Sequence, residues 1–193
     1  MPHFTFQSYS WSLGTTSFRM ADFHRKVEEQ LVLLNDFWNI PENNGVEWSR
    51  ESGIQKKYYE YLSKNGFIYG KIDKDEDKEK TAREKTSGLV DIGLIDDTHR
   101  LTEVGEKLLA ISKSGDFSSD NEFHIPCDSF LYLKQLIKTA NKVQESYVRP
   151  YLVTGLVFES CDGYLTDEEF TYLLPLCVNA DITNKVINYI LSY

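Results

Sequence analysis

Apolar positions recur at helical spacing along much of the chain. Phe23, Val27, Leu31, Leu34 and Trp38 fall three or four residues apart, which predicts an amphipathic helix over 22–38. Pro41 and Gly45 end it. Ser49 is placed to cap a second helix with Ile54, Tyr58, Tyr61 and Leu62 on its inner face, and Asn65-Gly66 closes that helix. Phe67-Ile68-Tyr69 reads as a short strand. Polar positions then take over: 71–80 is a run of mixed charge that reads as a solvated loop. It leads into a third helix through 81–90 that reaches Ile95. Arg100-Leu101-Thr102 follows, and Thr102 is placed to cap a helix over 103–111 with Val104, Leu108 and Ile111 inward.

The Ser/Asp/Gly-rich segment 112–123 breaks the pattern and divides the chain into 1–113 and 124–193. Beyond it, Pro126 opens a helix carrying Phe130, Leu133, Leu136 and Ile137. Pro150 suits the first turn of a helix over 151–158. Asp162-Gly163 makes a turn, and Thr166-x-x-Glu169 is a capping box for 167–178. Asp181 caps a last helix that runs to 193. The fold class is mainly α with short β strands. Ile92-Gly93-Leu94-Ile95 and Leu101-Thr102-Glu103-Val104-Gly105 give the order helix, turn, short strand, helix, the rhythm of a winged-helix element. Any helix–turn–hairpin produces the same rhythm.

Composition narrows the class. With 193 residues, 41% hydrophobic and 13% aromatic, the chain has a core large enough for one domain or two small subdomains. No apolar run approaches the roughly 18 residues of a membrane span. The N-terminus has no basic segment followed by an apolar one, so a cytoplasmic location is expected. Cys127, Cys161 and Cys177 are odd in number and widely spaced, as expected of reduced thiols. His3, His24, His99 and His124 are scattered, with no zinc spacing, and no metal site is expected.

The net charge of −9 speaks against nucleic acid when taken alone. Its distribution is uneven. Residues 1–113 hold 16 Lys/Arg and 19 Asp/Glu, whereas residues 114–193 hold 5 and 11. Most of the excess acid lies in the second part, and the first has local basic clusters. Arg50, Lys56 and Lys57 lie near or on the second helix, among tyrosines. Lys78, Lys80, Arg83 and Lys85 lie at the start of the third, and His99 with Arg100 at the tip of the wing. Arg50 or Arg83 has the donors to read guanine, and Gln55 the pair of groups to read adenine. A solvated helix face laced by pairs such as Glu79–Arg83 accounts for the same run.

Trp11-Ser12-Leu13-Gly14-Thr15-Thr16-Ser17-Phe18-Arg19 is the most distinctive segment. Two readings fit it. Its hydroxyls can cap the following helix, or Thr15, Thr16 and Arg19 can contact a phosphate or a base edge. Residues 158–169 approach the pattern of a calcium loop, but the first ligand position falls on Phe158 and the third on Ser160. The only (Asp/Glu)-x-Lys is Glu76-Asp77-Lys78, inside the charge run and without the partner aspartate that metal-dependent nucleases use. No catalytic residue is assigned.

In order along the chain, four pieces resemble the AlwI-like type IIS restriction endonucleases. They are Trp11–Arg19; Trp48 with Gln55, Tyr58, Tyr59 and Leu62; Gly93-Leu94-Ile95 with Leu101-Thr102 and Gly105-Glu106-Lys107-Leu108-Leu109; and Arg149-Pro150-Tyr151-Leu152-Val153 with 163–170. The resemblance implies an N-terminal DNA-recognition region of winged-helix-like subdomains from an enzyme that cuts outside an asymmetric site. It places the Mg²⁺-dependent cleavage domain outside this chain, which itself needs no cofactor. The expected partner is double-stranded DNA, bound by a monomer. The residues expected at DNA are Thr15, Thr16, Arg19, Arg50, Gln55, Lys56, Lys57, Arg83, Lys85, His99 and Arg100. A winged-helix transcriptional regulator and a protein–protein interaction module remain the alternatives.

Overall fold

In the computed structural model, the residues described are Trp11, 22–115 and 126–192. They are mainly helical: α1 Phe23–Trp38, α2 Ile54–Lys64, α3 Asp75–Asp91, α4 Glu103–Ser114, α5 Cys127–Lys138, a hairpin of β1 Asn141–Val143 and β2 Ser146–Val148, α6 Pro150–Ser160 and α7 Ala180–Ile190. The chain forms two compact units. One comprises residues 14–133. The other joins residues 1–13 to 134–193. Most of the boundary segment read at 112–123 lies outside the described residues, as does all of 11–19 except Trp11.

The first unit is built on α1. Val27, Leu31, Leu34 and Phe37 lie on its buried stripe and are each at most 1% exposed. α1 packs on α4 and α2, and α2 packs along α3. Phe37 meets Tyr58 edge-on at 5.0 Å, and Trp48 meets the same Tyr58 at 5.5 Å, so α1, α2 and the loop between them close around one aromatic cluster. Leu94, Ile95 and Leu108 complete the core below it.

Several elements differ from the sequence expectation for local reasons. α2 starts at Ile54, not after Ser49, because Gly53 takes a left-handed backbone (φ 70°) and Ser49 Oγ caps the preceding turn by accepting from the Ser52 amide. α3 takes in the charge run from Asp75. Asp75, Glu76 and Asp77 occupy its first turn, where the free amides and helix dipole favour carboxylates. It stops at Asp91 and does not reach Ile95, since Gly93 turns left-handed (φ 70°). Residues 67–69 form no strand. The Phe67 amide instead closes α2 by donating to the Leu62 carbonyl. On α5 the inward residues are Asp128, Tyr132 and Gln135, while Leu133 is exposed.

In the second unit, Val143 and Val148 of the hairpin, Val157 of α6 and Cys161 just after it, Leu174, Cys177 and Val178, and Val186 of α7 enclose Trp11. The Trp11 indole donates to the Cys177 carbonyl at 3.1 Å, and its amide to the Pro175 carbonyl at 3.2 Å. The capping box forms in both directions: the Thr166 amide donates to Glu169 Oε2 at 2.7 Å, and the Glu169 amide to Thr166 Oγ1 at 3.2 Å. The expected α-helix to Val178 becomes a π-helical turn, Glu169–Leu173, then a 3₁₀ turn, Leu174–Leu176. Pro175 lacks the N–H that would continue an α-helix. α7 is capped by Asn179, which accepts from the Ile182 amide, and not by Asp181. Asp181 sits in the first turn, paired with Lys185.

Candidate nucleic-acid interface

α2 and α3 lie side by side and bring most of the described candidate residues together. Ion pairs lace them. Lys56 Nζ is 2.7 Å from Asp75 Oδ2, and Lys78 Nζ lies 3.4 Å from Glu60 and 3.5 Å from the other oxygen of Asp75. The hydrogen bond between them holds the Asp75 carboxyl below the usual carboxylate range and raises the Lys56 ammonium. Arg50 Nε reaches Glu79 at 3.6 Å, and Lys80 reaches Glu84 at 3.8 Å. Four of the cations here are therefore compensated.

Arg83 is treated differently. Glu79, its neighbour one turn back, goes to Arg50, so the expected Glu79–Arg83 pair does not form. Arg83 Nη1 instead donates at 2.7 Å to the amide oxygen of Gln55. Gln55 is 4% exposed, so this contact satisfies a buried acceptor and directs the guanidinium. In this arrangement Gln55 does not present its amide to solvent. Its place was legible: Gln55 shares the inward stripe of Tyr58, Tyr59 and Leu62 at helical spacing. Lys57 is exposed and Lys85 half-buried, and among the described residues neither side chain has a carboxylate partner. The Lys85 carbonyl accepts from buried Gln30 at 2.7 Å, which ties α3 to α1.

His99 and Arg100 lie apart from this face, in a turn closed by the Ile95–Leu101 bridge. Asp96 Oδ1 organises the turn by accepting from the Thr98 amide at 2.8 Å, the Thr98 hydroxyl at 2.6 Å and the Arg100 amide at 3.1 Å. Burial works against its charge, but these hydrogen bonds prevail and hold Asp96 below its ordinary value. The His99 ring stacks on Trp48 at 4.2 Å, and the Arg100 guanidinium lies 3.4 Å over Trp38. The Trp38 indole donates to the His99 carbonyl at 2.6 Å, and Arg100 Nη2 to the Val46 carbonyl at 3.2 Å. Burial pushes the His99 ring down to about 4, so it is neutral at pH 7. Both side chains thus dock the turn onto a tryptophan shelf. The exposed corner is Asp96, Asp97 and Thr98. Sequence reading missed this shelf because Trp38 was read only as part of the α1 stripe and Trp48 only as part of the family resemblance.

Thr15, Thr16 and Arg19 lie outside the described residues. Among the described residues, no three His, Cys, Asp or Glu side chains converge to hold a metal ion. Glu76-Asp77-Lys78 sits on a helix, with Lys78 engaged by Glu60 and Asp75. Glu169 is engaged by its own cap. These residues do not fit a divalent metal. A second polar cluster lies where α1 faces α5: His24 stacks on Tyr132 at 4.7 Å, and burial, with Asp128 nearby, raises the Glu28 carboxyl. No described helix is long and apolar enough to cross a membrane.

The model of the AlwI restriction endonuclease family matches residues 88–193, from the last turn of α3 through α7. No curated protein and no solved structure matches the chain. The match spans more than half of the 193 residues and includes the docked turn, α4 and residues 134–193 of the hairpin unit, so the chain belongs to the AlwI restriction endonuclease family.

Proposed function

We propose that this chain supplies sequence-specific recognition of double-stranded DNA to a type IIS restriction enzyme, with α2, α3, the docked turn and α4 acting as a winged-helix-like reader. Membership in a restriction endonuclease family implies DNA as the partner. The observation that carries the assignment to this face is the set of uncompensated cations on it. Lys57, Arg83 and Lys85 have no carboxylate partner among the described residues, although acids outnumber bases in the chain, 30 to 21. A cation left without a counter-ion beside so many acids is available to a polyanion. Arg50 and Lys56 are paired at the surface and can exchange their carboxylates for phosphates at little cost. Thr15, Thr16 and Arg19 would add positioning contacts from the segment before α1.

In this proposal the chain reads an asymmetric site as a monomer in the cytoplasm, and cleavage belongs to a Mg²⁺-dependent domain that these residues do not form. Selection of bound duplexes from a randomised pool, near physiological salt, tests it. A short asymmetric consensus, retained in EDTA, is the expected result. A palindrome would point to a dimeric regulator, and no enrichment by folded protein would overturn DNA recognition.

A further inference from the structure

We infer that Gln55 is a positioning residue which holds Arg83 as the specificity-determining donor to a guanine edge in the major groove. This rests on the DNA-recognition reading above. Four cations of this face have a carboxylate: Arg50 has Glu79, Lys56 has Asp75, Lys78 has Glu60 and Asp75, and Lys80 has Glu84, whereas Lys57 and Lys85 have none among the described residues. Arg83 has the Gln55 amide. The carboxylates nearest to it in sequence on α3, Glu79 and Glu84, are both engaged elsewhere.

The choice of amide over carboxylate has a physical consequence. A glutamate at position 55 would fix the guanidinium and also cancel its charge. Glutamine fixes one nitrogen of the planar fork and leaves the charge and the other donors unspent. Gln55 cannot easily let go, because its oxygen is buried and would be left without a partner. A guanidinium oriented in advance, half-buried and uncompensated, suits an acceptor pair lying in one plane. Guanine O6 and N7 provide that pair in the major groove. A phosphate presents oxygens in several directions and can be held by an unfixed cation, so the fixed plane favours the base.

The test measures binding of the whole chain to its selected duplex and to duplexes with each guanine replaced in turn. It compares wild type, Arg83→Ala, Arg83→Lys, Gln55→Met and the Gln55→Met/Arg83→Ala double variant, each checked for folding by thermal melting. Arg83→Ala and Arg83→Lys are both expected to lose roughly 5- to 150-fold in discrimination at one guanine, the worth of one bidentate base contact. The salt dependence should stay unchanged. Gln55→Met should lose discrimination at that same guanine, and the double variant should be no worse than Arg83→Ala. If Gln55→Met does not fold, Gln55→Glu replaces it. That variant keeps the contact but cancels the charge, and its effect should likewise vanish in the Arg83→Ala background. Full discrimination in the Gln55 variant, or losses that add in the double variant, would overturn the positioning role. Uniform weakening by Arg83→Ala, with full rescue by lysine, would mean a phosphate contact and overturn the guanine assignment. A wild-type chain that selects no sequence would overturn the recognition reading itself and this inference with it, a result distinct from a selective wild type with an indifferent Gln55.

Discussion

At position 105 the packing accepts a hydrogen and nothing larger. Gly105 lies in the first turn of α4, and a Cβ there would run into the carbonyl oxygen of Leu94, a backbone atom that cannot swing aside. That same carbonyl accepts the Thr102 amide at 3.0 Å, so moving it would also loosen the cap of α4. Gly155, inside α6, has nothing within 4 Å of its would-be Cβ. Opposite outcomes follow from the same substitution. Gly105→Ala should cost about 2–3 kcal/mol through overpacking, whereas Gly155→Ala should stabilise by about 0.5–1 kcal/mol through helix propensity. Urea denaturation of the two variants beside the wild type checks both signs.

At the scale of elements, the turn between Ile95 and Leu101 behaves as a docked part, not a free wing. Its docking depends on a neutral His99. An unfolded chain takes up a proton on this histidine near its ordinary value of 6.5, while the folded ring resists until about pH 4. The contribution of His99 to stability should therefore be flat above pH ~6.5, fall as the pH is lowered through that window, and level off below about 4. His99→Asn tolerates the positive φ of 60° and removes the titrating ring. Its melting temperature should change less between pH 6.5 and 4 than that of the wild type, and an equal slope in both would remove His99 as the cause. Much of this element level was legible in the sequence. The stripe of α1, the Thr102 cap, the Thr166–Glu169 box and Pro150 at the start of α6 each depend on neighbours within four residues, and local pattern suffices for these. What failed depends on distance. Residues 67–69 have the composition of a strand but no described strand to pair with. The three-residue β1 and β2 are too short to show alternation, and their turn places Gln144, not glycine, at positive φ. Gln55 and Arg83 were each legible as polar donors, but their contact joins α2 to α3 and exists only once those helices pack.

For the molecule as a whole, charge bounds how DNA can be held. On α2 and α3 the described cations without a carboxylate partner are Lys57, Lys64, Arg83 and Lys85. With Arg83 assigned to a base edge, the three lysines are left for the phosphates of that face, and each adds about −0.9 to the slope of log affinity against log salt. Their part of the slope should be no steeper than about −3, and changing all three to alanine should remove it in a titration from about 50 to 200 mM salt. An unchanged slope would place the phosphate contacts elsewhere. The burial of Trp11 has a consequence of another kind, for the order of assembly during synthesis. Its indole and its amide are held by residues more than 160 positions later. Until translation reaches Pro175 and Cys177, Trp11 has no seat, whereas residues 14–133 already contain their own core. The intervening unit can fold while the ribosome is still working. The unit that spans both ends must wait, and then pay the entropy of closing a very long loop. Trp11→Ala should thus act late, speeding unfolding of the hairpin unit and leaving the early-folding unit intact.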